Sequence, residues 1–155
     1  MKKNGLHTAV ETCGFFSKDL IADLTENVDL FLFDIKHTNR DYHRDSTGVS
    51  NEIILANFSE LLDRVAAERI IPRIPLIPGF NTDEIFINDL ISFLKKSNYE
   101  GPVHFMPYHN WAGGKYRRLG RGGSFRDFDK MSEMELTKIN GIFKDAGFLP
   151  VNYGG

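Results

Sequence analysis

Five short strand-like runs alternate with helical segments along this chain, and that alternation restricts the fold more than any other feature. Residues 5–12 (GLHTAVET) read as a short strand broken by the CGF that follows. Residues 17–25 (SKDLIADLT) place an N-cap serine ahead of apolar residues at helical spacing. Residues 30–35 form a second strand, and their near-continuous apolar run predicts burial on both faces, as in a parallel sheet. A polar connection, HTNRDYHRDSTGVS, leads into a long amphipathic helix, NEIILANFSELLDRVAAE, with Ile54, Phe58, Leu61, Leu62 and Val65 along one side. RIIPRIPLIPGFN is the third strand. Its Pro72 and Pro75 argue against a central position, because proline removes a ladder donor. TDEIFINDLISFLKKS is a helix whose N-terminus is favoured by Asp83 and Glu84 through the helix dipole. GPVHFMPYH is a fourth strand; a Gly/Arg-rich loop, a helix over 132–145 and a short strand, LPVNY, complete the order.

Strands alternating with helices predict an α/β fold with a parallel sheet and crossover helices. A length of 155 residues is ordinary for one domain, so a single domain over 1–155 is expected. With 41% hydrophobic and 26% charged residues, the chain has a globular and not a disordered composition. A net charge of −2 gives no support for nucleic-acid binding or for a polybasic membrane contact; the one local basic excess is GGKYRRLGRGGSFR, over 113–126. The sequence shows neither an apolar stretch long enough to span a bilayer nor a leader pattern at Met1, so a cytoplasmic location is expected. A lone cysteine, Cys13, excludes an internal disulfide and any cluster held only by this chain's thiolates.

Ligands of parallel α/β folds bind at the carboxyl ends of the strands, and unusual polar residues gather there. Glu11 and Thr12 close the first strand, Asp34 and Lys36 the second, and His109 follows the fourth. Asp34 and Lys36 are two residues apart and so share a face of an extended strand. A carboxylate and an ammonium side by side suit a zwitterionic ligand. They equally suit a structural ion pair at an exposed strand end, and the pattern leaves both readings open.

Four segments in their order, GLHTAVETCGF, DLFLFDIKHTNRDYHRDSTGVSNEIILAN, PRIPLIPGFN and VHFMPYHNWAGGKY, resemble the latter half of glycyl-radical-enzyme activating enzymes. These are radical S-adenosylmethionine (SAM) proteins, of which pyruvate formate-lyase activating enzyme is the best known. The resemblance implies a partial TIM-like (β/α) barrel, truncated on its N-terminal side, with SAM and a [4Fe-4S] cluster as the cofactors of the full-length protein. Its implied chemistry is reductive cleavage of SAM to a 5′-deoxyadenosyl radical, which takes a hydrogen atom from a glycine of a pyruvate formate-lyase-like partner. Carried over by position, Lys36 contacts the SAM carboxylate, and Glu11, Thr12 and Asp34 lie around the SAM amino group or a nearby monovalent cation. His109 approaches SAM from the end of the fourth strand, and Arg73 lines the active-site cavity as the candidate catalytic residue. Glu11 stands where the best-known member has aspartate. The family's CxxxCxxC and GGE segments have no counterpart here, so no metal ligand is assigned and the chain alone is expected to be inactive.

Two other readings use the same residues. One is a non-catalytic module that binds a glycyl radical enzyme or a small zwitterion; the other is an α/β-barrel lyase with Lys36 as a Schiff-base nucleophile. Among the remaining polar residues, Cys13 is expected to pack as a small side chain, and His7 and His104 to lie within strands. His37 and His43 are expected at the surface. Arg117, Arg118 and Arg121 are expected on a solvated loop, with Trp111 and Tyr116 packing that loop or docking a peptide. The first strand, left at an edge, predicts self-association.

Overall fold

The computed structural model describes residues 5–109, 112–120, 123 and 127–153. The chain runs from β1 (Ala9–Thr12) through a 3-10 turn (Lys18–Leu20) to α1 (Ile21–Asn27), then β2 (Leu30–Asp34), α2 (Arg40–Thr47) and α3 (Glu52–Leu62). A second 3-10 turn (Ala67–Arg69) enters β3 (Ile70–Leu76), followed by α4 (Glu84–Lys96), β4 (Pro102–Pro107), α5 (Ala112–Arg118), α6 (Glu133–Asp145) and β5 (Leu149–Asn152). The five strands lie side by side in chain order, every neighbouring pair parallel. This is the staircase of a partial (β/α) barrel, in which a helix returns the chain after each strand.

The helices cover one face of the sheet. Phe31 and Phe33 of the second strand with Ile35 just past it, Ile70 and Ile74 of the third, and Val103 and Phe105 of the fourth share one buried core with α1, α3, α4 and α6. Phe33 meets Phe58 edge-on at 5.2 Å between ring centroids, and Phe105 meets Phe143 at 4.9 Å. Gly14, at φ +76°, turns the chain after β1 beneath the Phe33 ring, where any Cβ would collide. The other face is different. Leu30, Leu32, Ile71, Met106 and Val151 project from it and are only half-buried.

Proline in β3 does not move that strand to an edge; β3 is the middle strand. A side chain makes up part of the missing ladder. The Asn81 amide donates to Pro75 O (2.6 Å) and to Lys36 O (2.9 Å), while its oxygen accepts from Ile77 N–H (2.7 Å).

Several local expectations change. The polar connection after β2 contains α2, capped by Asn39 at its start and by left-handed Gly48 at its end. Its one buried residue is His43, so it shows no apolar stripe. The Gly/Arg-rich segment contains α5, and the helix expected to reach residue 68 ends at Leu62. His7 is exposed ahead of β1. His37 and His43 are buried: His37 packs against Tyr42, Phe80 and Phe86, and His43 Nδ1 lies 2.8 Å from Val49 O. Cys13 is exposed and not packed. Arg117 and Arg118 are exposed on α5, whereas Trp111 and Arg121 lie outside the described residues. No helix among the described residues is long and apolar enough to cross a membrane.

Candidate functional site

Side chains on alternate residues of neighbouring parallel strands line up in rows across a sheet. On the half-open face, one such row is polar. Asp34 of β2 is in register with Arg73 of β3, and Arg73 with His104 of β4. Glu11 of β1, in register with Leu32, sits one step lower on the same face. Tyr153, just past β5, lays its ring 4.6 Å from that of His104 and closes the row on the far side.

Arg73 is the hub. Its Nε donates to Asp34 Oδ1 (2.9 Å), and its two terminal nitrogens meet the two Glu11 oxygens at 3.0 and 3.1 Å. The guanidinium therefore reaches over β2 to hold carboxylates from two strands, a planar fork geometry that lysine could not supply. Arg73 is only 16% exposed. Burial opposes its charge, but Glu11 and Asp34 more than offset that and leave its pKa raised. The same contact holds the exposed Glu11 carboxyl below its usual range. His104 is pushed down, first by burial and then by Arg73 beside it, so its ring is neutral.

Lys36 is the loose member of the group. Its ammonium lies 3.9 Å from Asp34 Oδ2 and its side chain remains 36% exposed. The four charges of Glu11, Asp34, Arg73 and Lys36 cancel, yet the two cations are held unequally. Arg73 is fixed by its carboxylates, whereas Lys36 can turn to a ligand anion with little to give up.

The structure thus brings together Glu11, Asp34, Lys36 and Arg73. It does not bring Thr12 to them: Thr12 is in register with Phe33 and faces the helices, with its hydroxyl accepting Gly14 N–H at 3.0 Å. His109 is exposed on the connection leaving β4, at the same end of the sheet. Next to it, Tyr108 is tied down by N–H donation to Leu76 O (2.9 Å) and by its hydroxyl to Asp127 (2.8 Å). Sequence reasoning placed His104 in a strand but not in the polar row, and it passed over Asn81 altogether. Two prolines in a central strand were the available signal for Asn81, because something must compensate for the lost donors. The described residues contain no group of three or more His, Cys, Asp or Glu able to hold a metal ion.

No protein-family model matches the chain. The 4-hydroxyphenylacetate decarboxylase activating enzyme of Clostridioides difficile (strain 630) is 34% identical over 142 residues, which are 92% of this chain and 45% of that protein. The crystal structure of a domain of pyruvate-formate lyase-activating enzyme from Bacteroides vulgatus ATCC 8482 superposes with a TM-score of 0.79 at 26% identity, over 99% of this chain and 84% of that one. A radical SAM methyltransferase from Sphaerobacter thermophilus shares the fold, with a TM-score of 0.67 at 15% identity over 94% of this chain and 39% of its own. The chain spans about half the length of the curated relatives it matches.

Proposed function

Because the homologues of this chain are glycyl-radical-enzyme activating enzymes, we propose that it forms the SAM-binding, C-terminal part of such an enzyme, one that acts in the cytoplasm on a pyruvate formate-lyase-like partner. The observation that carries this reading is the charged group formed by Glu11 and Asp34 near the carboxyl ends of β1 and β2, Arg73 of β3 and Lys36 just past β2, with Lys36 its most loosely held cation. Radical SAM homologues imply SAM and a [4Fe-4S] cluster for the full-length family. SAM held by these residues would supply, in a full-length protein that also carries the cluster, the chemistry of hydrogen abstraction from the partner's glycine.

The residues present fit the amino-acid end of SAM. Lys36 takes the carboxylate, and Asp34, two residues earlier on the same face, takes the ammonium. Arg73 holds the Asp34 and Glu11 carboxylates in place, so that the ammonium meets oriented acceptors. His104, neutral beneath Tyr153, brings no competing charge to this row. The residues do not fit the cluster: Cys13 is the one cysteine in the sequence. The same loosely held Lys36 and oriented carboxylates also suit, as a second reading, a module that binds the zwitterion without radical chemistry. A Schiff-base role for Lys36 fits less well, since the amine stands among charges and not in a dry pocket.

The test is calorimetric titration of the chain with SAM. Lys36→Ala is expected to weaken binding by about tenfold, the size of one charge-assisted contact. Unchanged affinity removes the assigned role.

A further inference from the structure

Three buried asparagines brace the turns at the carboxyl end of the sheet, and two of them hold the segment 36–38. Asn57 donates to Gly14 O and Phe16 O, both at 2.9 Å, behind β1. Behind β2, Asn81 donates to Lys36 O (2.9 Å), and Asn51 donates to His37 O (2.9 Å) and Thr38 O (2.7 Å). Three consecutive carbonyls, those of residues 36, 37 and 38, are therefore held by two side-chain amides. Both amides are dry: Asn81 is 0% exposed and Asn51 2%.

Two local rules are broken to build this brace. Asn51 stands at the N-cap of α3, where an asparagine side chain ordinarily accepts from the first turn of its own helix, yet it makes no capping bond. Its amide is committed to the turn after β2 instead. On the other side, the ladder bond from Ile35 N–H to Arg73 O (3.0 Å) comes one rung before Pro75, which has no N–H for the next. Asn81 takes over there, linking Pro75 O to Lys36 O. His37 adds a third anchor: its Nδ1 accepts Asn39 N–H at 3.0 Å, and its ring also bonds the main chain of Phe80. Departures from local preference that converge on one three-residue segment point to a functional demand there.

We propose that Asn51 and Asn81 are positioning residues for Lys36: they fix the main chain of residues 36–38 so that the Lys36 ammonium is presented to a ligand carboxylate. This rests on the reading that Lys36 takes that carboxylate. Neither asparagine touches the ligand; each acts through the backbone that carries the lysine. Lys36 itself is loosely paired, and without the brace its ammonium would sample positions that miss the carboxylate, which lowers affinity by the populated fraction.

The experiment uses two probes on the full 155-residue chain, SAM and decarboxylated SAM, which lacks only the group Lys36 is assigned to bind. Calorimetric affinities are measured for the unaltered chain, Asn51→Ala and Asn81→Ala, with thermal melts to establish folding. The expected result is SAM binding weakened by about tenfold in each variant, with decarboxylated SAM changed by less than about twofold. Equal weakening of both probes would reduce the asparagines to general scaffolding and overturn the inference, as would unaltered SAM affinity. An unaltered chain that binds the two probes equally, or binds neither, overturns the Lys36 reading itself and the inference with it. Should the alanine variants fail to fold, Asn51→Ser and Asn81→Ser, which keep one donor, carry the same comparison.

Discussion

The two faces of the sheet are built from the same five strands and do different work. The helix-covered face is a closed apolar core, with Phe31, Phe33, Ile70, Ile74, Val103 and Phe105 wholly buried. The other face is half-open; Leu30, Leu32 and Ile71 lie toward the amino ends of β2 and β3, Val151 and Met106 lie level with and beyond His104, and a polar row crosses from Glu11 to Tyr153 among them. Burial of apolar area concentrates stability on the first face, and the ion-pair network and loosely held lysine concentrate ligand chemistry on the second. The largest expected effect tests that division. Phe33→Ala, which removes the ring that Phe58 and the Gly14 turn pack against, is expected to cost about 3–5 kcal/mol in urea unfolding. Leu32→Ala, the adjacent residue but on the open face, is expected to cost less than about 1.5 kcal/mol, because part of its surface is already in water. Equal costs would abolish the division.

A second substitution asks what orders the open face. Asp34→Asn takes from Arg73 the carboxylate at 2.9 Å while leaving Glu11, so the guanidinium, 16% exposed, keeps one of its two partners. The expected cost is about 1–2 kcal/mol, below that of stripping a buried charge of all partners. Glu11→Gln should cost less than Asp34→Asn, since Glu11 is the more exposed end of the network. The reverse ranking in paired urea titrations would make the edge strand, and not β2, the anchor of the row.

Legibility in the sequence follows the same division. The covered face could be read: the alternation of strand-like runs and helical stripes located all five strands and their parallel sense, though the prolines of β3 pointed away from its central place. On the open face, Asp34 and Lys36 stood out because charges interrupt an apolar run. What escaped was structure without an apolar signature. Helix α2 buries only His43, so no periodicity announces it. Thr12 and Glu11 are sequence neighbours, and only the pleat shows that they point to opposite faces. Arg73 was expected to line a cavity, but its bridging of two strands depends on a register that no single sequence states. Asn51 and Asn81 were hidden for a related reason: an asparagine before a helix or in a turn has an ordinary local explanation, and the bonds that tie these two to His37 and Lys36 reach backbone 14 and 45 residues away.

Acid should separate the regions more gently. His37, packed beside the end of β2, and His104, on the open face, both have lowered pKa values, for which burial is the leading cause. The folded state therefore holds each ring neutral, while the unfolded chain protonates near 6.5. The stability they contribute is complete above that value and is lost as pH falls from 6.5 through the lowered folded values. The lowered carboxyls of Glu11, Glu60, Glu84 and Glu135 act later, below their ordinary 4.5. Urea midpoints should thus decline first between pH 6.5 and the carboxylate range, and His37→Asn should flatten that first limb. A limb unchanged in both His37→Asn and His104→Asn would assign the acid sensitivity elsewhere.

The smallest expected change in stability belongs to the substitution that most directly probes the open face as a surface. Leu30, Leu32, Ile71, Met106 and Val151 lie outside the buried core, and β1 pairs only with β2 among the described strands, so the sheet has a free edge beside a half-exposed apolar face. A face of that kind promotes association, and the 155-residue chain is expected to scatter light as species heavier than its 17.7 kDa at high concentration. Leu30→Lys places a charge at the amino end of β2, four residues from Asp34 and outside the ion-pair network. Because Leu30 is only half-buried, folding stability should change by less than about 1 kcal/mol. Association should nevertheless fall, since a second chain would have to desolvate the new ammonium. A variant that still associates while the unaltered chain does so would shift the contact to the β1 edge, where pairing is through backbone and indifferent to Leu30. An unaltered chain that stays monomeric would mean that the polar row, and not the apolar residues around it, governs how this face meets its surroundings.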